Sequence, residues 1–143
     1  MPEWKTIVVG IDGSPGSRKA LTWAAAEAAV HDAELVVINV WEHTLLPPAG
    51  SVSVSERYVP DPSQRTTDDL VQVIKEELGD EPPVLVRAHV KQGRPAKVLI
   101  EESATADLLV VGKRGHGGFV GLVLGSVSQH VASYAKCPVT VVR

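Results

Sequence analysis

Cysteine is nearly absent from this sequence, and so are long apolar runs. Cys137 is the single cysteine in 143 residues, so no disulfide can form within the chain. With no second thiol beside it, we predict that Cys137 is a buried structural residue rather than a redox group. No apolar run approaches the roughly 20 residues that a membrane-spanning helix needs. Residues 1–5 also lack the charged start and apolar core of a signal peptide, which predicts a cytoplasmic location.

Concentrated positive charge is missing as well. The chain carries 14 lysines and arginines against 17 acidic residues, for a net charge of −3, and the two signs are interspersed. Without a basic field, neither nucleic acid nor an anionic membrane is an expected partner. The composition, 44% apolar and 22% charged, is typical of a globular protein. We therefore expect one domain over residues 1–143.

Short apolar runs rich in β-branched residues recur at 6–9, 35–38, 108–111 and 139–142, with a weaker run at 84–90. Continuous runs of this kind are typical of strands buried on both faces of a parallel sheet. Segments with helical spacing of apolar residues lie between them, and one of these is expected to bury Leu70, Val71, Ile74 and Leu78. The predicted strands are 5–11, 34–41, 83–91, 107–112 and 138–143. The predicted helices are 17–30, 69–78, 95–100 and 126–135.

This alternation predicts a single-domain α/β fold, a three-layer sandwich with parallel strands and helices on both faces of the sheet. Ligands of such sheets bind beyond the C-terminal ends of the strands, where the winding reverses, so the ends of the first and fourth strands are the expected site. The stretch of about residues 42–65 is rich in serine and contains four prolines. We predict a mobile surface loop there, with a lid over the site as the alternative.

The first strand runs into a glycine-rich segment that contains Gly10, Asp12 and Gly13. Glycines let the backbone turn tightly and approach a ligand closely. The Asp12 carboxylate, at the end of the strand, is placed to meet a ribose hydroxyl, a base amine or a metal. The alternative without a ligand makes Asp12 a turn residue and Ser17 the N-cap of the next helix. Taken alone, this segment favours that alternative.

The fourth strand runs into a stronger signal, with six glycines in the fourteen residues from Gly112 to Gly125. Such a loop can turn consecutive N–H groups toward one point, and the N-terminus of the next helix favours an anion. The hydroxyl of Ser126 and the side chains of Lys113 and Arg114 add donors. Hydrogen bonds to a charged phosphate contribute about 1.5–3 kcal/mol each, so several could hold a polyphosphate. The alternative is a glycine-rich turn with no ligand.

Several other classes of site are not indicated. The patterns G-x-x-x-x-G-K-[ST], G-x-G-x-x-G and G-x-S-x-G are absent, which disfavours a P-loop NTPase, a standard dinucleotide fold and a hydrolase serine. The five histidines lack metal-ligand spacing, so no metal site from protein side chains is expected. His116 alone lies in the glycine-rich loop, where it either touches phosphate or faces water.

The spacing Gly112-x2-Gly115-x9-Gly125-Ser126 resembles the G-2x-G-9x-G-[S/T] signature of ATP-binding universal stress proteins. Residues 8–14 resemble their opening strand and loop, and residues 136–139 resemble the approach to their last strand. The resemblance covers almost the whole chain, least of all the serine- and proline-rich stretch. It implies a five-stranded sheet of order 3-2-1-4-5.

The resemblance also implies a ligand and a partner. ATP would be held at the strand ends, with Mg²⁺ bridging its phosphate oxygens as an open alternative. Asp12 would contact the adenosine and Val40 would pack on adenine. Family members commonly dimerise through the last strand, which makes Val139 and Val141 the expected homodimer contacts. The nucleotide-binding set is Gly10, Asp12, Gly13, Val40, Gly112, Lys113, Arg114, Gly115, His116, Gly117, Gly118, Gly125, Ser126 and Val127.

These features predict an ATP-binding stress-response regulatory protein, in which occupancy sets a conformation or dimer state that another protein reads. No general base with an orienting partner is evident, so we do not expect an efficient enzyme, although slow ATP hydrolysis stays open. One alternative is a nucleotidyl-transfer enzyme of the same fold, but the strings H-x-G-H and S-G-G-x-D-S are absent. A ligand-free dimeric interaction module also stays open, as does a cyclic nucleotide in place of ATP.

Overall fold

The computed structural model describes residues 3–42, 62–113 and 124–143. Its five strands form one parallel sheet of order β3-β2-β1-β4-β5, which confirms the predicted order. The chain alternates strand and helix throughout these residues. The elements are β1 Thr6–Ile11, α1 Pro15–His31, β2 Glu34–Trp41, α2 Pro62–Leu78, β3 Val86–Gln92, α3 Pro95–Ser103, β4 Leu108–Gly112, α4 Ser126–Tyr134 and β5 Val139–Val142.

The sheet separates two apolar cores. Successive side chains of a strand point to opposite faces, so a strand covered on both sides needs apolar residues at every position. In β1, Ile7 and Val9 belong to the core beneath α1 and α2, whereas Val8 belongs to the core beneath α3 and α4. In β4, Leu109 and Val110 divide between the two cores in the same way. This arrangement explains the continuous apolar runs of the sequence.

Helix α1 packs on the sheet through small side chains. Ala20, Ala24 and Ala28 are fully buried, which lets the helix backbone approach the strands closely. The helix begins one residue after Ser14, whose side chain accepts the N–H of Ser17 at 3.2 Å. The interpretation of Ser17 as the N-cap is therefore wrong. Ser14 is the cap, and Pro15 occupies the first turn, where its missing N–H costs nothing.

Helix α2 begins earlier than predicted, at Pro62 rather than at residue 69. Residues 62–65 are therefore helical and not part of a loop, while residues 43–61 lie outside the described residues, so the choice between mobile loop and lid stays a prediction. The predicted face is wrong at one position, because Val71 is 43% exposed and Val73 packs against the core instead. At about 100° per residue, Val73 lies roughly 60° from Leu70 around the helix and Val71 lies roughly 100° away.

Cys137 is only partly buried, against the predicted full burial. It packs on the core beneath α3 and α4, and its thiol donates to the carbonyl of Pro138 at 3.4 Å. Burial raises the pKa of the Cys137 thiol, and the nearby carboxylate of Asp107 raises it further. The thiolate is the reactive form, so these surroundings make Cys137 a poor nucleophile. This agrees with a structural role.

Gly112 ends β4 against the first turn of α1. A Cβ atom at this position would lie 2.8 Å from the backbone carbon and oxygen of Gly16, and 3.1 Å from the nitrogen of Ser17. Backbone atoms cannot rotate away as a side chain can. Gly112 is therefore required by the close approach of β4 and α1, independently of any ligand.

We expect Gly112→Ala to lower the free energy of unfolding by about 1–3 kcal/mol, because the added methyl group overpacks a backbone contact. Gly10→Ala is the matched control. It adds the same group to the neighbouring strand, 2.8 Å from Cδ1 of Leu99, a side-chain tip that can shift. Urea unfolding of both variants and the wild type measures the two losses. A loss as large in Gly10→Ala as in Gly112→Ala would contradict this explanation.

Candidate functional site

The ends of β1 and β4 meet at one edge of the sheet. The two strands are adjacent and parallel, with Val9 opposite Val110, so Asp12 and Lys113 leave the sheet side by side. Helix α1 then covers one face of the sheet and α4 covers the other, as the two cores show. The winding therefore reverses between β1 and β4, and in sheets of this kind a crevice lies there beyond the strand ends. The structure brings the ends of β1 and β4 together at one edge of the sheet, as the sequence predicts.

The loop after β1 is held by a chain of hydrogen bonds. The Asp12 carboxylate accepts the N–H of Ser14 at 2.9 Å, while the hydroxyl of Ser17 accepts the N–H of Asp12 at 3.3 Å. That hydroxyl also donates to the carbonyl of Ser14 at 2.9 Å. Gly13 has a φ of 83°, which larger residues rarely adopt. Asp12 is thus a turn residue, and it is also exposed at the edge where a ligand would bind.

The two ends of the segment between β4 and α4 are hydrogen-bonded to each other. The N–H of Lys113 donates to the carbonyl of Val142 in β5 at 2.8 Å, and its carbonyl accepts the N–H of Gly125 at 2.8 Å. The hydroxyl of Ser128 lies 2.6 Å from the carbonyl oxygen of Gly112 and 3.1 Å from that of Lys113. These bonds bring the two ends of the glycine-rich segment together at the start of α4. The predicted residues Arg114, Gly115, His116, Gly117 and Gly118 lie outside the described residues.

The N-terminus of α4 lies where Gly125 bonds to Lys113. Gly125 occupies the N-cap position, and no side chain in the described parts of the chain donates to or accepts from this cap. The first intrahelical bond runs from the N–H of Gln129 to the carbonyl of Gly125 at 3.0 Å. The N–H groups of Ser126 and Val127 therefore have no partner within the helix. Together with the positive end of the helix dipole, such groups favour an anion.

Other residues of the predicted set have packing roles. A Cβ atom on Gly10 would lie 2.8 Å from Cδ1 of Leu99, so this glycine makes room for α3. Val40 and Val127 are partly buried and pack against the core beneath α3 and α4. Val40 is the penultimate residue of β2, because that strand continues to Trp41. Gly10, Val40 and Val127 remain beside the crevice, since they lie at or next to the ends of their elements.

A cleft that the sequence did not reveal, with three polar side chains in a mostly apolar lining, lies on the α1 and α2 side of the β1 end. It has a volume of about 270 Å³ and is lined by Asp12, by Asn39 of β2 and by Asp69 of α2, among others. The Asn39 side chain donates to the carbonyl of Ile11 at 2.9 Å, which braces the end of β1. Asn39 is the one polar residue between Leu35 and Val40, and this interruption of an apolar run is the signal that could have identified it.

Helices α1 and α2 are joined beside this cleft. The guanidinium of Arg18 donates to Glu76 at 2.8 Å and to Glu77 at 3.2 Å. The hydrogen bond from Arg18 lowers the pKa of the Glu76 carboxyl, and a second one from Gln72 lowers it further. The pKa of Arg18 is raised by the same contact and by Glu77. Because these groups face solvent, the ion pairs contribute little to stability.

The described residues hold no group of three or more histidine, cysteine, aspartate or glutamate side chains placed to bind a metal ion. Over the same residues, no helix combines the length and the apolar character needed to cross a membrane.

The sequence model of the universal stress protein family matches residues 3–143. A universal stress protein of Mycolicibacterium smegmatis is 37% identical over 138 residues, which cover 96% of this chain and 45% of the relative. One of Mycobacterium tuberculosis is 35% identical over 147 residues, which cover 99% of this chain and 46% of the relative. The chain thus spans less than half the length of the curated relatives it matches.

Solved structures match over nearly the whole chain. Universal stress protein UspA from Lactobacillus plantarum has a TM-score of 0.77 at 19% identity and covers 100% of both chains. A universal stress protein in complex with cAMP has a TM-score of 0.65 at 28% identity, covering 99% of this chain and 98% of the other. A family protein from Arabidopsis thaliana with AMP bound has a TM-score of 0.60 at 19% identity, covering 96% of this chain and 90% of the other. A universal stress protein from Archaeoglobus fulgidus in complex with dAMP has a TM-score of 0.61 at 20% identity, covering 99% of this chain and 100% of the other.

Some structural neighbours of this chain therefore bind adenine nucleotides. The matches in sequence extend over nearly the full length of the chain, and the five-stranded parallel sheet agrees with the fold of the structural neighbours. The chain belongs to the universal stress protein family.

Proposed function

We propose that this domain is an ATP-binding regulatory module whose occupancy sets a conformation or dimer state that another protein reads. The observation that carries the proposal is the placement of the α4 N-terminus. The N–H groups of Ser126 and Val127 follow Gly125, whose own N–H bonds the carbonyl of Lys113 just beyond the end of β4, and Asp12 is exposed just beyond the end of the neighbouring strand β1. A neighbour at 28% identity is a complex with cAMP, which supports an adenine nucleotide as the ligand class. The cytoplasmic location predicted from the sequence belongs to the same proposal.

The phosphates are proposed to bind at the start of α4. The N–H groups of Ser126 and Val127 and the exposed hydroxyl of Ser126 offer donors there. Lys113 adds an ammonium group, and the loop residues Arg114, Gly115, His116, Gly117 and Gly118 are proposed to complete the phosphate site. When Mg²⁺ is present, it would bridge phosphate oxygens and reduce their mutual repulsion.

The nucleoside is proposed to lie across the ends of β1 and β2. Asp12 is exposed there, and a carboxylate oxygen can accept a hydrogen bond from a ribose hydroxyl or a base amine. Val40 gives an apolar surface for a flat base, while Gly13, around which a side chain would meet only open space, keeps the loop after β1 free of side chains. Gly10, one residue before the end of β1, belongs to the same proposed site. The base and the phosphates would then bind on opposite sides of the crevice, each to groups suited to its polarity.

We propose a binding protein rather than an efficient enzyme. Hydrolysis of a phosphate needs a group that takes a proton from the attacking water and a partner that orients that group. The Asp12 carboxylate, which lies at the crevice, already accepts the N–H of Ser14 as part of the loop after β1. Its role is therefore better explained by turn geometry and nucleoside contact than by proton transfer.

We expect Ser126→Ala to weaken ATP binding about tenfold or more, because a hydrogen bond to a charged phosphate is worth about 1.5–3 kcal/mol. Ser133→Ala is the matched control, an exposed serine on the same helix but far from its N-terminus. Isothermal titration calorimetry with ATP, AMP and cAMP measures the affinities of the wild type and both variants. Equal ATP affinities in Ser126→Ala and Ser133→Ala would show that the start of α4 does not bind the nucleotide.

The dimer is proposed to form along β5. The carbonyls of Pro138 and Val142 accept N–H groups from β4, so the even-numbered residues of β5 direct their backbone groups inward. The N–H groups of Val139 and Val141 are therefore at the open edge of the sheet. Pairing with a second copy would satisfy them and cover an edge that otherwise invites aggregation.

Val141→Pro should convert the dimer to a monomer while the domain stays folded, because proline removes an outward donor and leaves the bonds to β4 intact. Val141→Ala, which keeps the N–H, is the control and should remain dimeric. Light scattering gives the mass, and circular dichroism checks the fold. A folded Val141→Pro variant that still dimerises would place the interface elsewhere.

His116→Ala should leave the rate of phosphate release from ATP within about tenfold of the wild-type rate, since a general acid or base typically contributes about 10²–10⁴-fold. His116 is the residue of the glycine-rich loop whose ordinary pKa lies near neutrality. A steady-state phosphate assay under saturating ATP compares the two proteins. A fast wild-type rate of phosphate release that falls a hundredfold in the variant would show that the domain is an enzyme rather than a binding protein.

A further inference from the structure

Two serines of the same helix point in opposite directions. Ser126 is exposed at the start of α4, whereas Ser128 is only 3% exposed. Residues two positions apart lie on roughly opposite sides of a helix, so Ser126 is on the solvent side of α4 and the Ser128 hydroxyl faces the fold. The buried hydroxyl of Ser128 lies 2.6 Å from the carbonyl oxygen of Gly112 and 3.1 Å from that of Lys113.

These two carbonyls lie where the sheet stops supplying partners. Gly112 is the last residue of β4 and the last one paired with β5, opposite Val142. Beyond it, the carbonyl of Lys113 accepts from the N–H of Gly125, and the single O–H of Ser128 donates to the nearer carbonyl, that of Gly112, with the Lys113 carbonyl as a longer second acceptor. Buried backbone acceptors need such partners. The N–H of Lys113 is thus bonded to β5, whereas the carbonyls of Gly112 and Lys113 are bonded by α4 and its N-cap residue.

We infer that Ser128 is a positioning residue for nucleotide binding, an inference that rests on the proposed function. Its hydroxyl faces the fold and does not touch the ligand. It holds the Gly112 and Lys113 carbonyls in line with the N–H of Gly125, and this sets the start of α4 against the end of β4. The N–H groups that would receive the phosphates therefore point in a defined direction before any nucleotide arrives, which lowers the ordering cost of binding.

Ser103 provides a matched control for a purely structural role. It is 1% exposed, its hydroxyl donates to the carbonyl of Ile100 at 2.5 Å, and it accepts the N–H of Lys136 at 2.8 Å. It lies at the end of α3, which runs away from the crevice, so it is remote from the proposed site. Ser103→Ala and Ser128→Ala each remove a buried hydroxyl that bonds the backbone, but they do so at opposite ends of the sheet.

The experiment combines three measurements on the wild type, Ser128→Ala and Ser103→Ala: urea unfolding, amide hydrogen exchange at Gly125 without nucleotide, and calorimetry with ATP. We expect both variants to lose stability. Only in Ser128→Ala should the amide of Gly125 exchange faster than the loss of global stability explains. Only Ser128→Ala should also bind ATP at least tenfold more weakly than the wild type. Ser128→Cys keeps the volume with a weaker donor and should give an intermediate affinity, which keeps the test valid if the alanine variant does not fold.

The outcomes separate this inference from the proposed function. If the wild type binds ATP and Ser128→Ala binds it as tightly as Ser103→Ala does, the positioning role of Ser128 is overturned while nucleotide binding stands. Unchanged exchange at Gly125 in Ser128→Ala would overturn it as well. A wild type that binds none of ATP, AMP and cAMP would instead overturn the proposed function itself.

Discussion

The peptide group of Lys113 joins three parts of the fold. Its N–H donates to the carbonyl of Val142 in β5, and its carbonyl accepts from Gly125 at the start of α4. On the other side, the preceding residue, Gly112, touches the first turn of α1 through the backbone of Gly16. The crevice between β1 and β4 owes its shape to these contacts, because they set the distance between the two helix N-termini. Gly112 and Lys113 together therefore contact β5, the start of α4 and the first turn of α1.

The chemistry of the site follows from backbone groups more than from charged side chains. A chain with a net charge of −3 has no general attraction for phosphate, so it must recognise anions locally. In the proposed site, N–H groups at the start of α4 would do this without adding positive charge to the surface. The proposed nucleoside side carries the Asp12 carboxylate, which would repel phosphate and could accept hydrogen bonds from a nucleoside. Under this proposal the two sides would distinguish the two halves of a nucleotide and orient it.

Much of the fold could be predicted because the signals were local. The runs around Val8, Val36 and Leu109 are apolar at every position, and only a sheet covered on both faces requires that pattern. The start of α2 was missed because its first turns are polar, so helical periodicity appears only from residue 69 onward. The position of Val71 was missed for a related reason, since the five apolar residues among positions 70–78 fit more than one face of a helix.

The candidate site was predictable as a place but not as a set of contacts. The strand ends near Asp12 and Gly112 follow from topology, which places the ends of parallel strands at one edge. The bonds of Ser128 and Asn39 depend on which carbonyls the tertiary structure leaves without partners, and no local pattern reports that. Glycines are ambiguous for the same reason: a ligand, a positive φ and a close packing contact all favour glycine, and the residue type alone does not distinguish them at Gly10.

The contact between Gly10 and α3 also constrains how this chain could change over time. The space that Gly10 leaves open is filled by Leu99, which is 3% exposed in the core beneath α3 and α4. Any larger residue at position 10 would take that space, and any smaller residue at position 99 would leave a void. The side chains at these two positions, 89 residues apart in sequence, therefore occupy the same space, and their combined volume is constrained. In related sequences, their side chains should vary together, a larger one at the first position accompanying a smaller one at the second.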